Sequence, residues 1–191
     1  NKKESLFLYP LLNPDILFTS TYYDGAMPSP ERIAIELIQD AVKENEKSIP
    51  LNYVCLESSI GKTVTLKDEI SGDKIELKPK IVVNAAGPWI DLVNQSMGEK
   101  TKLISGTKGS HLIIDHPELS KAIGENEFFF ENKDGRIVLI FPLKDKVMIG
   151  SSDIRADDPN NLSITEEEID YFFDMLGRVF PSISINRSNI V

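Results

Sequence analysis

The sequence predicts an α/β to α+β fold in two parts. A helix, a β-meander and a strand fill residues 1–100, and an antiparallel sheet with a flanking helix fills residues 101–191. Three patterns predict this. One long segment after Ser29 repeats its apolar residues at helical spacing. A pair of alternating segments is joined by Ser71-Gly72-Asp73. Four short apolar runs after residue 108 are separated by polar connections of mostly hairpin length.

The first 20 residues mix Leu, Phe and Tyr with Pro10 and Pro14 and read as an irregular or short-helical lead-in. Thr19 to Tyr23 reads as a short strand entering a turn at Asp24-Gly25. Ser29-Pro30-Glu31 then opens a helix. Ser29 suits the cap, Pro30 the first helical position, and Glu31 the positive end of the dipole. Ile33, Ala34, Leu37, Ile38 and Ala41 share one face, and the helix should end near Lys43 to Glu46.

Leu51 to Glu57 reads as a strand. Val64 and Leu66, then Ile75 and Leu77, alternate with polar residues on either side of the Gly72 turn, which describes a hairpin with one wet face. Lys80 to Val83 is apolar without alternation, the pattern of a strand buried on both faces.

In the second part, His111 to Ile114, Phe128 to Phe130, Ile137 to Phe141 and Val147 to Gly150 read as strands. Asn132 to Gly135 and Lys144 to Lys146 connect them and favour antiparallel pairing. The Phe128 to Phe130 run reads as core and not as a binding platform, since alternate rings face opposite sides of a sheet. A last helix begins at Thr165, with Glu168 at capping-box spacing. Ile169, Phe172, Phe173, Leu176 and Phe180 form its stripe, and Pro181 ends it.

Composition narrows the function. Apolar residues make up 41% and charged residues 27%, the balance of a globular protein. Thirty Asp and Glu against 21 Lys and Arg give a net charge of −9, which repels nucleic-acid backbones and anionic lipid. The longest apolar run, Ile137 to Phe141, is far short of the ~20 residues a membrane helix needs. Cys55 is the only cysteine, so no internal disulfide forms and a reducing compartment fits. One Cys and two widely spaced His give no zinc pattern. Neither end has the look of a natural terminus, so the sequence reads as an internal piece of a longer protein.

The sharpest local feature is Asn84-Ala85-Ala86-Gly87-Pro88-Trp89. Small residues at a strand's end admit a ligand close to the backbone, and the same residues also serve a plain strand-to-helix turn. With its preceding strand, this motif resembles the second FAD-contacting motif of the D-amino-acid-oxidase-like flavoprotein superfamily. Four further segments resemble FAD-dependent glycerol-3-phosphate dehydrogenases, in order and in register. They are Tyr22-Tyr23-Asp24 with Pro30-Glu31-Arg32, Lys108-Gly109-Ser110-His111, Asp134-Gly135-Arg136-Ile137-Val138 with Phe141-Pro142, and Gly150-Ser151-Ser152-Asp153.

The resemblance implies a partial FAD-binding domain at 1–100 and a partial substrate-binding domain at 101–191. FAD would lie against Val54, Ala85, Ala86, Gly87 and Trp89, with Val54 contributing backbone or simply packing in its strand. His111 would orient or deprotonate substrate, or be satisfied within the core. Lys108, Arg136, Ser151 and Ser152 would bind a phosphorylated polyol, although Arg136 in a hairpin turn and the serines after Gly150 also suit surface and turn roles. His116 reads as a solvated loop residue. The implied reaction of the parent protein is oxidation of sn-glycerol 3-phosphate to dihydroxyacetone phosphate by hydride transfer to FAD. The implied location is cytoplasmic, with peripheral contact at the inner face of the membrane where a quinone accepts electrons; oxygen and quinone both stay open as acceptors.

The family's Gly-x-Gly-x-x-Gly is absent from these residues, as are its Arg-Pro-Leu and Gly-Gly-Lys motifs. The 191 residues alone are therefore expected to hold FAD weakly or not at all and to be inactive. Two other readings stand beside this one: a flavin oxidase of an amine or 2-hydroxy acid, and a non-catalytic binding or assembly domain.

Overall fold

A computed structural model describes residues 1–191. In chain order the elements are α1 (Lys2–Leu8), α2 (Pro30–Glu44), β1 (Val54–Ile60), β2 (Thr63–Asp68), β3 (Lys74–Leu77), α3 (Ile90–Ser96), β4 (Thr107–Lys108), β5 (His111–Ile114), α4 (Pro117–Ile123), β6 (Phe128–Glu131), β7 (Ile137–Leu143), β8 (Lys146–Gly150), β9 (Ile154–Arg155) and α5 (Glu166–Val179). They form two compact units. One contains Asn1–Ala26, Thr107–Ala156 and Asn160–Val191, and the other contains Met27–Gly106 and Asp157–Pro159. The unit that begins at Thr107 also takes in residues 1–26.

That later unit is built on an antiparallel sheet of order β5-β8-β7-β6. Period-2 alternation sends Leu112, Ile114, Val138, Ile140, Val147 and Ile149 to one face, where each is at most 4% exposed. Phe172, Met175, Leu176 and Phe180 of α5 and its end complete this core, and Leu119 and Ile123 of α4 join it. Each such fully buried side chain contributes about 1.5–3 kcal/mol. The Phe128 ring lies edge-on between Tyr9 and Phe180, at 5.1 and 5.6 Å, while Phe129 on the opposite face is half exposed.

The start of α5 follows the sequence. Thr165 accepts from the Glu168 amide and Glu168 accepts from the Thr165 amide. The lead-in resolves as α1, capped in the same reciprocal way by Asn1 and Glu4. Residues 19–23 form no strand. They have no ladder partner, and the Thr19 amide and hydroxyl bond to the Ser5 side chain instead. His116 is not a free loop residue. Its Nδ1 accepts the Leu119 amide at 3.3 Å and caps α4, a helix the sequence reading lacked. Pro117 at the first helical position and the Leu119/Ile123 spacing were its signals.

The other unit holds the antiparallel meander β1-β2-β3 and the helices α2 and α3. The strand β1 begins at Val54, three residues later than expected, and bulges between Leu56 and Ser58. Gly72, at φ +81°, turns the chain between β2 and β3. The Ser29 side chain makes no cap bond to α2, although its carbonyl accepts the Arg32 amide. Residues 80–83 form no strand, contrary to expectation, and Ile81 and Val83 are 79% and 81% exposed. The meander ends at β3, so this apolar run finds no ladder partner within the unit. Ile33, Leu37 and Ile38 of the α2 stripe are likewise exposed, Leu37 at 65%.

Candidate functional site

The segments Lys108–His111 and Gly150–Asp153 are 42 residues apart in sequence and face each other in space. Two strand pairings bring them together. Lys108 pairs with Ile154 between β4 and β9, and His111 pairs with Gly150 between β5 and β8. Between the pairings, the Ser110 amide donates to Ser152 Oγ at 2.8 Å, and the Ser152 amide donates to the Ser110 carbonyl at 3.2 Å. Gly109 makes the close approach possible, since a β-carbon there would sit 3.2 Å from the Ser152 carbonyl oxygen. Gly150 is stricter. A β-carbon there would fall 2.1 Å from His111 Cδ2, so only glycine leaves room for the imidazole. The His111 side chain remains accessible, and partial burial lowers its pKa from the usual histidine value.

Behind these loops lies a buried charge. Glu168 is 1% exposed and accepts from Lys108 Nζ at 2.8 Å, Ser152 Oγ at 2.7 Å and the Thr165 amide at 2.9 Å. Burial alone would raise its pKa. Hydrogen bonds from Lys108, Ser110, Ser152 and the Thr165 amide outweigh that and hold it at about 2. Lys108 also donates to the Ser163 carbonyl, so two of its three N–H donors are engaged. The Ser152 hydroxyl, expected to be a ligand donor, is 3% exposed and already donates to Glu168. Ser151 is half-buried beside Gly109.

The capping-box spacing alone marks Glu168 as a helix-start residue. A stronger signal was available. Glu168 stands four and seven residues before Phe172 and Met175, so it shares their buried face. A carboxylate on the apolar stripe of a helix needs a partner inside the protein.

Arg136 lies outside the paired loops, just after the turn at Gly135. Its guanidinium sits 6.0 Å from the centre of the Tyr171 ring and 3.6 Å from the Asp134 carboxylate, while Tyr171 Oη donates to Asp134. Arg136, Tyr171, Ile154 and Ser152 line one shallow cleft with Glu167 and Glu168. Arg136 and Ser152 therefore border the same depression.

The residues expected at a cofactor lie in the other unit. The turn at 84–89 is held from below by Asn84. Its Nδ2 donates to Asn94 Oδ1 at 2.7 Å and to the Ile90 carbonyl at 2.9 Å, and its Oδ1 accepts the Ala86 amide. Asn94 donates to Thr101, Thr101 donates to Asp91, and Asp91 accepts the Leu103 and Ile104 amides. These bonds fix the turn to α3. Gly87 adopts φ +54° and nothing lies within 4 Å of the β-carbon position, so the turn presents bare backbone. Ala85 and Trp89 are exposed and Ala86 is half-buried. Val54 begins β1, an edge strand packed by α3. An open glycine turn is a surface that a flat nucleotide group can approach, so the chemistry of this turn is compatible with a share of an FAD site.

No helix is long and apolar enough to cross a membrane, and no cluster of His, Cys, Asp and Glu suits a metal.

The chain is 29% identical over its whole length to the aerobic glycerol-3-phosphate dehydrogenases of Staphylococcus aureus strains MRSA252 and USA300. It spans about 35% of the length of each. The crystal structure of the glycerol-3-phosphate dehydrogenase from Bacillus halodurans complexed with FAD superposes on the entire chain with a TM-score of 0.82 at 26% identity. That match covers 39% of the Bacillus chain. The family model for FAD-dependent oxidoreductases (DAO) matches residues 5–190. The chain belongs to the FAD-dependent oxidoreductase family.

Proposed function

We infer that the full-length protein containing these residues oxidises sn-glycerol 3-phosphate to dihydroxyacetone phosphate, with FAD as its cofactor. The observation that carries this reading is the packing of His111 on Gly150, which unites the two segments resembling glycerol-3-phosphate dehydrogenases. The named relatives and the Bacillus structure support the substrate class.

FAD, when bound, supplies the acceptor for the hydride that leaves C2 of the substrate. Val54, Ala85, Ala86, Gly87 and Trp89 are the residues of this chain that would hold its nucleotide portion. His111 deals with the proton. As the C2 hydroxyl becomes a carbonyl, its O–H proton passes to the imidazole. A pKa lowered by burial keeps that imidazole neutral near pH 7, which is the form a base needs. The substrate phosphate is anionic and calls for cationic and hydroxyl donors. Arg136 and Ser151 supply accessible ones, Lys108 retains one N–H, and Ser152 holds its neighbours from within.

This reading makes the unit of Met27–Gly106 and Asp157–Pro159 the cofactor side, and the unit with the four-stranded sheet and α5 the substrate side. It also puts the full-length protein in cytoplasmic glycerol metabolism. The test is expression of the full-length chain, a visible flavin spectrum, and turnover with an artificial acceptor on glycerol 3-phosphate, sarcosine and 2-hydroxyglutarate. The reading expects flavin reduction by glycerol 3-phosphate alone. Preference for either of the other two substrates overturns it.

A further inference from the structure

We propose that Glu168 is a positioning residue for this site, tying the Lys108–His111 and Gly150–Asp153 segments to α5 so that Lys108, Ser151 and His111 face substrate in one fixed arrangement. The proposal rests on the glycerol phosphate reading for its substrate, and on this geometry for the rest.

Three observations carry it. First, the carboxylate is almost fully buried and both its oxygens are used: Oε1 takes Ser152 Oγ, and Oε2 takes Lys108 Nζ and the Thr165 amide. Second, the side-chain donors come from both segments, Lys108 and Ser110 from one and Ser152 from the other, and apart from Glu168 the segments are joined by the two bonds between Ser110 and Ser152 and by the short strand pairs around them. The two-residue pairing of β4 with β9 is too short to be rigid by itself. Third, Glu168 is anchored on a 14-residue helix whose Phe172, Met175 and Leu176 are in the core. The tether therefore ends on a helix rooted in the core of the unit. Glu168 touches no proposed substrate atom. It acts through Lys108 and Ser152, and through Ser152 on the Ser110 amide next to His111.

The test uses the full-length flavoprotein and compares wild type with Glu168→Gln, Ser152→Ala and, as control, Glu166→Gln, whose exposed carboxylate pairs with Arg187. Two readouts are taken: kcat and KM for glycerol 3-phosphate, and amide hydrogen exchange resolved by segment. In Glu168→Gln, exchange at 108–111 and 150–153 should quicken by at least about tenfold more than exchange in β7 and the core of α5, which reports only the global loss of stability, and kcat/KM should fall by roughly 10- to 100-fold at unchanged flavin content. Ser152→Ala keeps the Lys108–Glu168 pair, so it reports even if Glu168→Gln does not fold. It should loosen the same two segments and lower kcat/KM by a smaller factor. Glu166→Gln should change neither readout. Unaltered exchange in the variants overturns the tether. Quickened exchange with unchanged kcat/KM overturns the positioning role and leaves Glu168 merely structural. A wild-type protein that does not oxidise glycerol 3-phosphate, with the segments still loosened by Glu168→Gln, defeats the substrate reading and supports the tether.

Discussion

The His111 imidazole occupies the space that a side chain at Gly150 would need, with Cδ2 2.1 Å and Nε2 2.6 Å from where a β-carbon would stand. The two residues are register partners on neighbouring strands. Their identities are therefore coupled: a histidine lying across β8 at this point requires glycine beneath it.

Gly150→Ala must push the ring away, because the added methyl cannot share its position. Overpacking of this kind costs about 1–3 kcal/mol. The displacement of His111 should lower kcat/KM in the full-length protein by roughly 10- to 100-fold. Denaturant unfolding and steady-state kinetics check the two effects. Gly87→Ala offers a contrast. Nothing surrounds that position, so its cost is only the left-handed backbone, about 1 kcal/mol.

Desolvation lowers the pKa of His111 below its usual 6.5. Its titration midpoint, followed by NMR through the ring protons, should fall below 6.5. The linkage follows from the sign. The unfolded chain binds this proton more readily, so acidification through about 6.5 favours unfolding, and this contribution vanishes at higher pH. If His111 takes the substrate proton, kcat/KM should decline on the acid side of its folded-state midpoint. His111→Asn should abolish that limb of the profile.

Glu168 has the opposite behaviour. Its folded-state pKa is about 2, below the 4.5 of an ordinary glutamate. Its contribution is complete above pH 4.5 and is shed as pH falls from there toward 2. Replacing it with Gln at pH 7 strands the Lys108 ammonium, which is 11% exposed, without its counter-charge. Removing one member of a buried pair costs about 3–5 kcal/mol. Urea titrations of wild type and Glu168→Gln should therefore differ most near neutrality, and the difference should shrink by pH 3.

Asn84 supports the glycine turn through three hydrogen bonds, to Asn94, Ile90 and Ala86. Asn84→Ala should cost about 1–3 kcal/mol by leaving these groups without their partner. If the turn holds the cofactor, the full-length variant should also release FAD more readily, measured as flavin fluorescence appearing in the filtrate after dilution. Retention equal to wild type would remove the turn from the cofactor site.

Local order was legible in the residues themselves. The alternation of Val64 and Leu66 with polar residues, the Thr165/Glu168 box and the glycine turns at 72 and 135 depend on near neighbours, whose spacing a sequence states directly. The exposed run at 80–83 misled for the same reason. Its apolar pattern describes a strand's interior, but a strand also needs a partner, and partnership is not a local property.

The order of residues thus determined where helices cap, where hairpins turn and which motifs stand at their ends. The tertiary structure alone decided that Glu168 meets Lys108 across 60 positions, that Ser110 meets Ser152 across 42, and that His111 rests on Gly150. Periodicity places a side chain on a face but does not say which distant strand lies opposite. That choice follows from the sheet order β5-β8-β7-β6, which is settled only when the whole apolar face is buried at once.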